Sequence, residues 1–167
     1  MGSSAITLSV TAVLSHVVQG TEEILFVREG RGKKKGCWNL PSGRPRPGEC
    51  LERAAVRELL EETGVRGEIV GLIGVYTYLR KPGHRLVRVV FAAHPTDRTI
   101  NGVQRKVDGK EILDTAWLSV SEAERLISKK EADWWRPAVL QRILADCADN
   151  QIVSMHHVHE WKELWMV

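Results

Sequence analysis

The order of apolar patterns along this chain predicts an α/β sandwich. Strand-like runs stand at residues 6–15 and 24–27, an acidic amphipathic helix follows, and further strand-like runs stand at 68–79 and 85–94. Two more helical stripes come late in the chain. With 167 residues and 43% hydrophobic content, a single domain spanning 1–167 can bury a substantial core.

In residues 6–15, Ile6, Leu8, Val10, Ala12 and Leu14 fall on every second position, the period of a half-buried strand. Gln19-Gly20-Thr21 turns the chain into a compact second strand, Ile24-Leu25-Phe26-Val27. Residues 30–36 form a flexible basic loop carrying Lys33, Lys34 and Lys35. Such a run is usually a solvated surface. Its position directly ahead of an acidic segment makes phosphate binding by point charges the competing reading.

The chemistry is concentrated in residues 43–65, GRPRPGECLERAAVRELLEETGV, entered through Trp38-Asn39-Leu40-Pro41-Ser42. Pro47-Gly48 punctuates a loop, and Gly64 supplies the left-handed residue that ends a helix. At about 100° per residue, Glu58, Glu61 and Glu62 fall within one arc of roughly 100°. Val56, Leu59, Leu60 and Thr63 lie opposite and read as the buried stripe. Like charges at i,i+4 cost about 0.2–0.5 kcal/mol a pair. A divalent cation turns that liability into a site, and hard oxygen ligands suit Mg²⁺ or Mn²⁺.

The whole spaced pattern, GRPRPGE followed by RELLEETGV, resembles the signature of the Nudix hydrolases, with MutT-like members the nearest in character. The resemblance implies a Nudix-type α/β/α sandwich with a mixed β-sheet between helices. It also implies hydrolysis of a phosphoanhydride bond in a nucleoside diphosphate linked to another group X. Glu58 and Glu62, one helical turn apart, are then the expected metal ligands, with Glu61 as a further or water-mediated one. Glu49 is expected to support or share coordination, and the backbone carbonyl of Ser42 to contribute to it. Arg57 can hold the carboxylates by charge-assisted hydrogen bonds; the plainer alternative is a surface ion pair of little value.

The attacking water needs a base, which relatives take from a glutamate of this signature, the Nudix box at residues 43–65, or from an acid outside the box. Glu111, six residues ahead of Trp117, resembles the position of such an outside acid, with Asp108 and Asp114 as rivals. The sequence departs from the common family pattern at Cys50, where Thr or Ser would make a better N-cap.

Beyond the box, Lys81-Pro82-Gly83-His84 joins the two later strand runs by a turn. Residues 95–109 read as a polar loop near the site, and 115–120 as a short strand. Ser121 and Glu124 have capping-box spacing for a helix to about residue 128. Pro137 opens another helix with Val139, Leu140, Ile143, Leu144 and Cys147 on one stripe. The tail, 151–167, holds His156, His157, His159, Trp161 and Trp165. Packing of its aromatic residues onto the domain or a second subunit is expected, ahead of a zinc site.

Composition limits the function classes. No apolar run is long enough to span a membrane, and no secretory apolar region follows the N-terminus. Three scattered cysteines favour reduced thiols in an intracellular, cytoplasmic protein. A formal net charge of +3 gives no long-range pull on nucleic acid, so the expected partner is a small nucleotide or other pyrophosphate, with a homodimer left open. The resemblance, through the Trp38-Asn39-Leu40-Pro41-Ser42-Gly43-Arg44 run, implies nucleoside di- or triphosphates as leading substrates, oxidised guanine nucleotides among them. Thiamine-type pyrophosphates, dinucleotide polyphosphates, RNA caps and a non-catalytic nucleotide sensor are the alternatives.

Overall fold

The computed structural model describes residues 5–96, 110–149 and 152–159. Strand β1 (Ala5–Val18) reverses through Gln19 and Gly20, at φ 49° and 82°, into the antiparallel β2 (Thr21–Glu29). A 3-10 turn at Gly32–Lys34 leads to two short strands, β3 (Trp38–Asn39) and β4 (Ser42–Gly43). Two-residue strands carry no period, so alternation could not announce them. Helix α1 (Leu51–Thr63) follows. Next comes the hairpin of β5 (Gly67–Lys81) and β6 (His84–Pro95), closed by Pro82 and Gly83 with Gly83 at φ 74°. Strand β7 (Ile112–Ser119), α2 (Val120–Lys129) and α3 (Pro137–Ala148) complete the framework.

The strands form one mixed sheet in the order β3-β2-β1-β6-β5, with β4 also paired to β1 and β7 to β2. The β1–β6 pair is parallel and the other pairs are antiparallel. Helix α1 covers one face, where Val10, Ala12 and Leu14 meet Ala54, Ala55 and Leu59. Helices α2 and α3 cover the other, where Val13, Val90 and Ala92 meet Ala123, Leu140 and Ile143. This is the α/β/α sandwich that the motif implied.

Two local expectations change. The first strand is not half-buried: Ser9, Thr11 and Ser15 are buried along with Val10, Ala12 and Leu14, whereas Ile6 is 68% exposed. A central strand with helices on both faces hides both sets of side chains. The α1 core contacts also shift, to Ala54, Ala55, Leu59 and Thr63, with Val56 and Leu60 only half-buried.

Cys50 occupies the N-cap of α1 and makes no side-chain cap. Losing a cap costs about 0.5–2 kcal/mol. Fully burying one leucine, as happens at Leu59, is worth about 1.5–3 kcal/mol. Packing therefore holds this helix, and Gly64 at φ 74° closes it as expected. Helix α2 is capped by Ser119, whose hydroxyl accepts from the Glu122 N–H, rather than by Ser121. The same spacing of serine and glutamate occurs two residues earlier, where β7 ends.

Beyond α3, Val153 forms a two-way backbone bridge with Leu72 of β5. His156 and His159 are exposed, while Trp161 and Trp165 lie outside the described residues. Among the described residues no helix is long and apolar enough to cross a membrane, and all three cysteines are free thiols.

Candidate active site

Arg57 is the hub of the acidic helix. Its guanidinium donates to both Glu49 oxygens, at 2.7 and 2.8 Å, to Glu58 Oε1 at 2.7 Å and to Glu61 Oε2 at 3.1 Å. The remaining reach is used on the Arg44 carbonyl at 3.1 Å. A planar fork that satisfies several acceptors at once is what guanidinium offers and ammonium does not. Arg57 and Glu49 are mostly shielded, each with 16% side-chain exposure, so this is more than a solvent-screened surface pair.

The pairing fixes charge states. Glu49 is held down at about 2, first by its hydrogen bond from Arg57 and then by the Arg46 N–H. The Arg57 guanidinium is pushed up from its ordinary value, chiefly by Glu49. Glu61 is more open, with 48% side-chain exposure, and also accepts from Arg46 at 3.0 Å.

Glu58 and Glu62 turn toward the strand below. Gly43 approaches Glu58 so closely that a Cβ there would overlap the carboxyl group. Glu62 Oε2 accepts the Ser42 backbone N–H at 2.9 Å. Burial pushes the Glu62 carboxyl up to about 8; that N–H opposes the rise, and the charges of Glu29 and Glu58 add to it. Ser42 and Gly43 hold their place because β4 pairs with β1 at Thr11 and Val10.

Glu29 is a site-side residue that sequence reading passed over. It is buried at the end of β2, and its Oε1 accepts from Lys34 at 2.8 Å and from Asn39 at 2.7 Å. Asn39 in turn reaches Ser42 Oγ at 3.3 Å. The only sequence signal was a charged residue closing an apolar strand. The same network brings Lys34 of the basic loop inward, whereas Lys33 is exposed.

Glu111 comes from the segment just ahead of β7. It is exposed and paired with Arg31, and its carbonyl accepts the Gly30 N–H at 2.7 Å. Its neighbour Ile112 pairs in register with Glu29, which puts Glu111 on the rim of the Glu29–Asn39–Ser42 network. Asp114 is turned onto the Thr115 N–H, and Asp108 lies outside the described residues.

A divalent cation suits the donor set. Glu58 and Glu62 present hard oxygens from one helix face, the ligand type that Mg²⁺ and Mn²⁺ favour. Among the described residues no three acidic, histidine or cysteine side chains already converge as a ready-made cage. Glu49 has both oxygens engaged by Arg57. Glu58, Glu62 and the backbone carbonyl of Ser42 are among the residues that could hold such an ion.

A NUDIX domain model matches residues 8–143. The chain belongs to the NUDIX domain family. Among curated proteins it is 37% identical over 103 residues to a putative 8-oxo-dGTP diphosphatase of Bacillus subtilis, covering 62% of each chain. It is 34% identical over 105 residues to the human 8-oxo-dGDP phosphatase NUDT18, covering 63% of this chain and 31% of that one. The chain therefore spans less than two thirds of either relative. Its fold is similar to that of a NUDIX hydrolase from Nitrosomonas europaea, with TM-score 0.73 and 24% identity over 94% of this chain and 98% of that one. A MutT NUDIX hydrolase from Burkholderia pseudomallei is 28% identical, with TM-score 0.56 over 70% of this chain and 85% of that one.

In this Nudix domain the box has two halves. Glu49, Arg57 and Glu61 form an ion-pair lattice that steadies α1 and its loop. Glu58, which Arg57 also holds, and Glu62 face the Ser42–Gly43 strand. The linear motif names all of these glutamate and arginine positions, and the fold separates their surroundings.

Proposed function

We propose that this chain is a divalent-metal-dependent Nudix hydrolase, acting as one domain over residues 1–167. Its reaction is cleavage of a phosphoanhydride bond in a nucleoside diphosphate linked to X. Nucleoside di- or triphosphates are the proposed substrates, oxidised guanine nucleotides among them, in keeping with the names of the two curated relatives. The observation that carries this reading is the convergence of Glu58 and Glu62 on Ser42 and Gly43 across the sheet edge.

A diphosphate repels attacking water, and Mg²⁺ or Mn²⁺ bound here would neutralise that charge and polarise a phosphoryl oxygen. Glu58, Glu62 and the Ser42 carbonyl are the proposed ligands. Glu49 and Arg57 keep the helix face in register, and Glu61 supports Arg57 or binds through water. Glu111 is the proposed acid outside the box, as general base or as an additional ligand.

The test is phosphate and pyrophosphate release across nucleotides, nucleotide sugars, dinucleotides and thiamine pyrophosphates, with Mg²⁺ or Mn²⁺ supplied. We expect turnover that vanishes on exhaustive chelation and returns with metal. Turnover that survives chelation would overturn the metal mechanism, and an inactive panel would overturn the hydrolase reading.

A further inference from the structure

On the sheet face opposite α1, a cavity of about 200 Å³ opens beside Ser42 and Gly43. Lys34, Arg44, Arg80, Arg88 and Arg136 line it, and no carboxylate appears among its described lining residues. So high a density of positive charge is costly to assemble without a counter-ion.

Arg88 makes the point most sharply. It lies on β6 between Ser9 of β1 and Tyr76 of β5, is 4% exposed, and its Nε has no hydrogen-bond partner. A buried guanidinium N–H left unsatisfied is an expensive feature that calls for an explanation. Lys34, by contrast, is already paired with Glu29.

Arg136 supplies a second, independent sign. It precedes α3 at φ 55°, a left-handed conformation that a residue with a side chain rarely adopts. Its Cζ stands 4.3 Å from the ring centre of Tyr78 and 5.6 Å from that of Trp135. Backbone strain of this kind persists where surrounding contacts impose it, often at ligand clamps. Both cavity aromatics are thus engaged by a guanidinium, which leaves donors rather than open rings to meet the ligand.

We infer that this cavity is a phosphoryl subsite. It holds a phosphate group of the substrate beyond the anhydride bond being cleaved, so a nucleoside triphosphate is preferred to the diphosphate of the same nucleoside. The inference rests on the proposed hydrolase reading for its place in the reaction, but not for the anion binding itself. The ligand is acceptor-only and multiply charged, which matches a lining rich in cationic donors. Contact with Ser42 and Gly43 makes the cavity continuous with the box, so a chain of phosphates can run from one to the other.

The experiment is calorimetric binding of inorganic tripolyphosphate to the full chain in EDTA, which takes metal out of the comparison. Wild type should bind it measurably. Charge-assisted hydrogen bonds are the strong ones, so Arg80→Gln combined with Arg136→Gln should weaken binding by about tenfold or more. Arg88→Met should do the same where its thermal unfolding matches wild type; the exposed Arg80 keeps the test decisive if Arg88→Met does not fold. In turnover, the kcat/KM preference for triphosphate over diphosphate should fall toward one in the Arg80/Arg136 variant.

No tripolyphosphate binding, or binding indifferent to the arginines, overturns the subsite. So does arginine-dependent binding of the unphosphorylated nucleoside in its place. If tripolyphosphate binds and no nucleotide is hydrolysed, the anion site stands and the hydrolase reading falls. Metal-dependent hydrolysis without tripolyphosphate binding keeps the hydrolase reading and removes the subsite.

Discussion

Gly43 and Glu58 are packed so tightly that an ideal Cβ on Gly43 would overlap the Glu58 carboxyl carbon. The glycine that opens the box and a glutamate of its helix therefore occupy adjoining space. What glycine provides here is room for that carboxylate.

Gly43→Ala should accordingly separate stability from activity. The atoms in the way are the tip of a flexible side chain, so Glu58 can swing aside and the fold should survive with a melting temperature close to the parent. Misplacing a reacting group by about 1 Å can cost roughly 10²-fold, and turnover should fall by that order. Unchanged turnover with a folded protein would show that Glu58 need not rest against Gly43.

Glu58→Gln and Glu62→Gln should each lower turnover by about two orders of magnitude or more, a barrier increase of about 3 kcal/mol. Stability should hold in both. At Glu62 the amide oxygen can still accept the Ser42 N–H, and the charge that burial disfavours is gone. Chemical denaturation beside steady-state kinetics reads both effects; near-normal kcat in either variant removes that residue from the ligand set.

Arg57→Lys retains charge but loses the fork that spans Glu49, Glu58 and Glu61. Disturbing groups that orient metal ligands commonly costs about 10–100-fold. We expect that loss in kcat, with KM within a few-fold and partial recovery at raised Mg²⁺. A lysine variant with parental metal dependence would mean that Arg57 acts only on helix stability.

Glu111→Gln tests the acid outside the box. A positioned general base contributes about 10²–10⁴-fold, so a loss of that size identifies the base. A smaller loss, partly rescued by raised Mg²⁺ or Mn²⁺, identifies an additional metal ligand. Turnover and metal dependence within a few-fold of the parent would reduce Glu111 to the Arg31 partner seen on the surface.

Much of the site was legible because its chemistry is local. The spacing of Glu58, Glu61 and Glu62 around one helix follows from about 3.6 residues per turn, and Gly64 ends that helix whatever packs around it. The α/β succession was legible for the same reason, since period and turn residues act over a few positions. The strand edges were less so. Ile6 and Leu8 stand at the apolar positions of the alternation yet are exposed, while Ser9 and Thr11 stand at its polar positions and are buried.

The sequence by itself determined the acidic helix, its closing glycine, the identity of its carboxylates and the order of the longer strands and helices. Only the tertiary structure decided that Glu49 belongs to Arg57, that Glu62 folds onto Ser42, and that Glu29 joins them through Asn39. It also decided that Arg88, Arg136 and Lys34, far apart in the chain, share one cavity beside the box. The physical reason is range: helix periodicity and turn geometry are written in neighbouring residues, whereas charge pairing, desolvation and cavity lining depend on which distant strands the sheet sets side by side.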